Sequence, residues 1–144
     1  MNAATGMTRA MAGPKPGDTL PPFRLFIDPE AMKVWAVALH DPNPIHLDVE
    51  VVKAQGLGDR VINQGPANVA YLINMLHQAF PGGAIEELKV RFVDNVYGGE
   101  HVDATGSVVS AASEAGITRI ACDLLLSADA GRPVITGTAT VRLG

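Results

Sequence analysis

The residues best suited to chemistry lie in one short segment, Asp41 to His46, which reads DPNPIH. Its prolines, Pro42 and Pro44, fix their own φ angles and disfavour the helical region for the residues before them, which predicts a stiff, extended turn. A carboxylate and an imidazole held on such a turn form a candidate acid-base pair, because histidine titrates near neutral pH and a carboxylate can orient it. Alternatively, Asp41 and Asn43 simply close Asx-turns around the prolines. Spacing alone leaves both interpretations open.

Two helices are predicted to position this turn, one on each side. The upstream helix has Asp28 as its N-cap and Pro29 at its first position, and it must end before Pro42. Its apolar residues recur at helical spacing and predict one buried face: Met32, Trp35, Ala36 and Leu39. The downstream helix is short, with Asp48 as N-cap and Gly56 as a left-handed C-terminal cap.

The rest of the chain predicts one long helix and a sheet. Residues 65–80 are apolar on nearly every face, which is typical of a helix buried all round, and Pro66 lies just inside its start. Beyond this helix the apolar period changes to two, and turn compositions separate the runs. The predicted strands are residues 23–27, 88–93, 101–110, 117–127 and 133–143. Several long antiparallel strands after one buried helix favour an α+β domain.

Length, charge and cysteine content exclude several classes of function. A chain of 144 residues has the length of one ordinary domain, so separate cofactor and substrate domains are excluded. The net charge is −4 and no basic run exceeds one residue, which excludes nucleic acid as a partner. The single Cys122 excludes an intramolecular disulfide and a cysteine-rich zinc site. We expect residues 1–16 to be disordered, residues 17–144 to form one domain, and the protein to be cytoplasmic with no membrane association.

Residues 35–48, WAVALHDPNPIHLD, resemble the hydratase signature of the MaoC-like dehydratase family, which includes the (R)-specific enoyl-CoA hydratases. The family pattern is an aromatic-Ala helix, a catalytic Asp, any residue, Asn-Pro, an aliphatic residue and a catalytic His. A Gly-containing stretch and a central helix follow. The resemblance extends over residues 17–143.

The resemblance implies a single hot-dog fold, in which an antiparallel sheet wraps around a long buried helix, here residues 66–80. It places Asp41 and His46 at the two catalytic positions. It also implies that the Gly65 N–H polarises a thioester carbonyl, a role that suits a helix N-terminus because its first N–H groups lack partners. The candidate substrate-binding residues are Gly65, Asn43 and Gln64.

The implied reaction is reversible hydration of a trans-2-enoyl thioester to a 3-hydroxyacyl thioester of R configuration. Asp41 and His46 hold one water, remove its proton as the oxygen attacks C3, and return a proton to C2. No metal or redox cofactor is implied, since the CoA or acyl-carrier thioester is part of the substrate. The alternatives are a hot-dog acyl-CoA thioesterase and a non-catalytic acyl-CoA-binding subunit of a hetero-oligomeric dehydratase.

Three residues depart from the family pattern and bear on substrate range. Gln64 stands where many members have His, Pro66 replaces a bulky apolar residue, and His40 fills a position that is usually small. The Gln64 amide has two interpretations: it binds an acyl oxygen of the substrate, or it satisfies nearby backbone at the helix start.

The other polar residues are given structural interpretations. We expect His77 and His101 to be satisfied structural histidines and Cys122 to be a buried, inert thiol. Arg91 and Arg132 are expected to be solvated surface arginines rather than ligands of a CoA phosphate.

A homodimer with a composite cleft is predicted. The resemblance implies that a hot-dog domain makes its thioester cleft against a second copy. An open sheet edge also needs covering in any fold.

Overall fold

One five-stranded antiparallel sheet forms the body of the protein in a computed structural model that describes residues 10–144. Its strands are β1 Phe23–Phe26, β2 Ala84–Phe92, β3 His101–Glu114, β4 Ile117–Ala128 and β5 Arg132–Leu143. They run in the spatial order β1-β3-β4-β5-β2, so β1 and β2 are the edges. All five predicted strands are present, but two are longer than expected: β2 begins at Ala84 instead of residue 88, and β3 continues to Glu114 instead of ending at residue 110.

Helices α1 (Pro29–Ala38) and α2 (Val49–Ala54) flank a 3₁₀ turn, Pro44–His46. The Asp28 side chain accepts a hydrogen bond from the Glu30 amide at 2.9 Å, which caps α1. The Asp48 side chain caps α2 through the Glu50 amide in the same way. Both predicted helix starts are confirmed. In each helix a short acceptor side chain at the N-cap binds an amide of the first turn, which has no partner within the helix.

The core lies between helix α3 (Gly65–Ala79) and one face of the sheet. The fully buried side chains of α3 include Leu72, Met75 and Leu76, and those of the sheet include Ile120 and Leu126. A sheet packed on one long helix in this way is the hot-dog fold, so the predicted α+β class and architecture are confirmed.

One face of α3 is not fully covered. Val69, Ala70 and Ile73 are only partly buried, and His77 is exposed. The expectation of a helix buried on every side is therefore wrong for a single chain: the sheet covers one face, and no described element encloses the other completely.

Cys122 lies in the middle of β4 and is 1% exposed. Burial raises the pKa of its thiol to about 11, and the neighbouring Asp123 charge adds to the shift. The thiol therefore stays protonated near neutral pH, which suits the predicted inert role because the thiolate is the reactive form.

The predicted disordered segment 1–16 is described only from residue 10 onward, and residues 1–9 lie outside the described part. From residue 10 the chain is irregular but makes contact with the domain: the Met11 amide donates to the Ala79 carbonyl at 2.9 Å. In the described part of the chain, no helix combines the length and apolarity needed to span a membrane.

Candidate active site

The Asp41 carboxylate and the His46 imidazole lie against each other. Oδ2 of Asp41 is 3.2 Å from Nε2 of His46, and the two side chains are 33% and 8% exposed. On the opposite side of the ring, Nδ1 is 2.6 Å from the Ile62 carbonyl oxygen. The imidazole is thus enclosed, whereas the carboxylate keeps an accessible edge.

The Ile62 contact fixes which ring nitrogen carries a proton. A carbonyl oxygen only accepts hydrogen bonds, so Nδ1 must be the donor in that contact. A hydrogen bond between Nε2 and the Asp41 carboxylate then needs a further proton, held either by the ring or by the carboxyl group. The pair can therefore hold one shared proton at this contact, which gives it one proton donor and one proton acceptor.

Turn geometry places Asp41. Helix α1 ends through His40, which takes a left-handed backbone conformation with φ 50°, and the Asp41 amide donates back to the Ala36 carbonyl at 2.9 Å. The Asn43 amide then donates to Oδ1 of Asp41 at 3.2 Å. The backbone thus reverses directly after α1 and holds the carboxylate at the start of the turn.

The Asn43 side chain belongs to the turn itself. Its oxygen accepts from the Ile45 amide at 3.3 Å, which caps the 3₁₀ turn that carries His46. The Asx-turn interpretation of the DPNPIH segment is confirmed, and these turn bonds hold Asp41 close to His46. The acid-base role of the two residues stays a prediction. The predicted contact of Asn43 with substrate stays a prediction.

Gly65 is the first residue of α3, so its N–H belongs to the unpaired donors of the first helical turn. Pro66 has no N–H. Gln64 occupies the N-cap position, but its side chain makes no capping hydrogen bond. The Phe92 ring lies beside Gly65, where an added Cβ would be 3.4 Å from a ring carbon. The start of α3 therefore presents an uncapped amide, as the helix-terminus prediction requires.

The Gln64 side chain is fully buried, and its Nε2 donates to the Met32 carbonyl of α1 at 2.9 Å. The amide therefore binds backbone, but not the backbone at its own helix start: the partner carbonyl belongs to a different helix. The predicted contact of Gln64 with substrate stays a prediction.

Sequence reasoning missed a buried polar cluster beside the site. Nδ2 of Asn63 donates to Oδ1 of Asn68 at 2.7 Å and to the Tyr71 hydroxyl at 3.0 Å. Burial raises the pKa of Tyr71, while the Asn63 bond opposes the shift. The available signal was Asn68, which lies among apolar residues in the first two turns of α3, since a buried amide needs partners. The contact of His46 with the Ile62 carbonyl could not be predicted from the sequence, because every residue has a backbone carbonyl.

A second hydrogen-bond network holds the loop around Tyr97, which pairs with Ile62 through a β-bridge. Arg132 donates to both carboxylate oxygens of Glu100 at 2.7 Å, and Glu100 is 3% exposed. The same guanidinium bonds Asp94 and holds the pKa of that carboxyl below its usual range. Oε2 of Glu100 also accepts from the Tyr97 amide, and Tyr97 bridges to Ile62. The expectation of a solvated Arg132 is therefore wrong, since buried Glu100 requires its charge.

Two recesses flank the pair of Asp41 and His46. A cavity of ≈ 300 Å³ reaches His46, between Pro29 and Val61. A shallower recess of ≈ 540 Å³ reaches Asp41 and is mostly apolar, lined by Ala36, Val37, Pro42 and Leu47 among others. Within residues 10–144, no group of three or more His, Cys, Asp or Glu side chains is arranged to hold a metal ion. The site therefore combines a carboxylate and an imidazole, in contact with each other, with an apolar recess beside Asp41.

Comparison with known proteins identifies the family. The model of the MaoC like domain matches residues 12–124, and the chain belongs to this family. None of the curated proteins matches the chain. Among solved structures, the (R)-hydratase from A. caviae involved in PHA biosynthesis superposes with a TM-score of 0.83 at 20% identity, covering 93% of this chain and 100% of that one.

Further structures share the fold. R-hydratase PhaJ1 from Pseudomonas aeruginosa gives a TM-score of 0.77 at 20% identity, covering 90% of this chain and 84% of the other. The ChsH1-ChsH2 complex from Mycobacterium tuberculosis gives 0.76 at 21% identity, covering 89% and 97%. At these identities the likeness establishes the hot-dog fold.

We expect Arg132→Met to destabilise the domain by about 3–5 kcal/mol, because it leaves the buried Glu100 charge without its partner. The measurement is chemical unfolding of both proteins under identical conditions. Adding Glu100→Gln to this variant should recover part of the loss, since no charge is then buried. Equal losses in the single and double variants would show that the buried charge is not the cause.

Proposed function

We propose that the protein hydrates trans-2-enoyl thioesters reversibly to (R)-3-hydroxyacyl thioesters, with Asp41 and His46 as the acid-base pair. The observation that carries the proposal is the contact between Asp41 Oδ2 and His46 Nε2 at 3.2 Å, in a ring already anchored at Nδ1. The membership of the MaoC-like family and the hot-dog fold support it.

The number of protons that Asp41 and His46 can hold between them suits an addition of water. The shared proton leaves one group able to accept and the other able to donate. As the water oxygen bonds to C3, its proton moves to the accepting group and the pair's own proton moves to C2. The pair ends with one proton, as it began, so the same groups serve the reverse elimination.

The Gly65 N–H is proposed to stabilise the charge that develops on the thioester carbonyl oxygen. A donor at a helix N-terminus adds the partial positive charge of the helix dipole to its hydrogen bond. The Gln64 side chain leaves this helix start uncapped, which supports the proposal because a ligand oxygen can take the vacant place. Proton transfer and one N–H donor suffice for this chemistry, so we propose no metal or redox cofactor.

We expect Asp41→Asn and His46→Gln each to lower kcat by about 10²-fold or more, because each removes one end of the proton relay. The assay follows the loss of ultraviolet absorbance as a short trans-2-enoyl-CoA is hydrated, and chiral analysis identifies the 3-hydroxy product. Asp123→Asn, the same change at an exposed position on β4, is the control and should keep full activity.

Undiminished turnover in both variants would contradict the assignment of the pair. Release of free thiol without hydration would support the thioesterase alternative. Activity that appears only with a different subunit present would support the partner-subunit alternative.

We expect Gly65→Pro to lower kcat by about 10²–10³-fold, because it removes the donor N–H. Proline is favoured at the first helical position, and Gln64 before it is extended, with ψ 136°. The Cβ that proline adds directly before Pro66 is also added by the control variant. Gly65→Ala is the matched control, since it adds a Cβ beside Phe92 but keeps the N–H. Equal losses in both variants would assign the effect to packing against Phe92 instead of the N–H.

We also propose a homodimer, in which the second copy covers the partly buried face of α3 and the edge strand β2. Two groups of residues support it: Val69, Ala70 and Ile73 on α3, and two exposed residues, Phe92 at the end of β2 and Val93 directly after it. Phe92 lies over Gly65, so this surface borders the proposed carbonyl site. A free strand edge presents unpaired backbone groups that another chain can satisfy.

Sedimentation should therefore show a dimer at assay concentration, and Ile73→Lys should weaken it because the new charge would be buried between the subunits. Val109→Lys is the control, since Val109 is an exposed apolar residue on β3, away from this surface. Full activity in a wild-type protein that sediments as a monomer would contradict the composite cleft.

A further inference from the structure

Gln64 has an unusual environment for an amide. Its side chain is fully buried, and Nε2 makes the single hydrogen bond to Met32 of α1. Among the described residues, its Oε1 is the one buried side-chain polar atom without a hydrogen-bond partner. A buried acceptor without a partner carries its full desolvation penalty, so the residue is not explained by stability alone.

The Gln64 side chain also fails to do what an N-cap residue usually does. It makes no bond to the first amides of α3 and reaches across to α1 instead. The consequence is twofold: the start of α3 stays open to a ligand, and it is tied to the backbone of a second helix.

The segment Ile62 to Gly65 touches each part of the proposed machinery. The Ile62 carbonyl accepts from His46, and the Gly65 N–H is the proposed carbonyl donor. Gln64 binds Met32 in α1, the helix that ends directly before the turn carrying Asp41. The segment is thus linked directly to His46 and, through Gln64 and α1, to the turn that carries Asp41.

We propose that Gln64 is a positioning residue: its bond to the Met32 carbonyl fixes the separation between α1 and the start of α3, and so aligns the Gly65 N–H with the water held by Asp41 and His46. This inference rests on the proposed hydratase function. Geometry of this kind matters because a misplacement of about 1 Å can cost about 10²-fold in rate.

The test is Gln64→Met, which keeps a long, flexible side chain of similar size but removes the donor. The loss of the orphaned Oε1 offsets the loss of the bond, so the melting temperature should stay close to wild type. The expected result is a fall in kcat of about 10-fold to 10²-fold with little change in KM. If Gln64 only stabilised the core, the substitution would lower the melting temperature and would not lower kcat at unchanged KM.

Met32→Leu is the matched control, because it changes the fully buried side chain of the residue that accepts the Gln64 bond but leaves the Met32 carbonyl in place. It should keep the wild-type kcat. In Gln64→Glu, the substituted carboxyl group can donate to the Met32 carbonyl only when protonated, and burial favours that form. Its kcat relative to wild type should therefore rise as the pH is lowered.

An independent readout is the crystal structures of Gln64→Met and Met32→Leu, in which the separation between the Gly65 nitrogen and His46 Nε2 should change by about 1 Å in Gln64→Met only. A wild-type kcat in folded Gln64→Met, a raised KM with unchanged kcat, or an unchanged separation would each overturn the positioning role. Absence of hydration by the wild-type protein would instead refute the proposed function, and the measured separation would still decide whether Gln64 sets the position of the Gly65 amide.

Discussion

The hydrogen bond between Nδ1 of His46 and the Ile62 carbonyl is the contact on which the rest of the site depends. It fixes the ring tautomer, which leaves Nε2 facing the Asp41 carboxylate. It also joins the proline-rich turn to the segment that leads into α3. Because that turn and α3 are separate in sequence, this bond and its neighbours set their relative position.

Backbone hydrogen bonds on both sides of the Ile62 carbonyl hold it in place. The Ile62 amide donates to the Ile45 carbonyl at 3.0 Å, and the next residue, Asn63, donates its amide to the Val96 carbonyl at 2.7 Å. The loop that supplies Val96 is in turn held by the buried ion pair of Glu100 with Arg132. Polar bonds are used here because they specify a geometry, which apolar packing does less sharply.

Stability and chemistry are divided between the parts of the fold. Strands β3, β4 and β5 bury their apolar faces on α3 and supply the core, whereas the proposed catalytic groups lie on the connection between β1 and α3. This connection combines tight turns with hydrogen bonds to the backbone, so the side chains of Asp41 and His46 are held in place without being part of the apolar core. Gln64 shows that this arrangement lowers stability at one point, because its buried Oε1 has no hydrogen-bond partner among the described residues.

The sequence by itself determined the local structure: helix starts at Asp28 and Asp48, the strand pattern, and the turn that presents Asp41 and His46. These features follow from side-chain capping, proline geometry and periodicity, all of which act within a few residues. The resemblance to a family added the hot-dog architecture and the role that is proposed for Gly65. Only the tertiary structure decided the partners that come from distant positions: the Ile62 carbonyl on His46, the Met32 carbonyl on Gln64, and Glu100 on Arg132. Backbone carbonyls look alike in every sequence, and which of them a side chain reaches is settled by packing between elements.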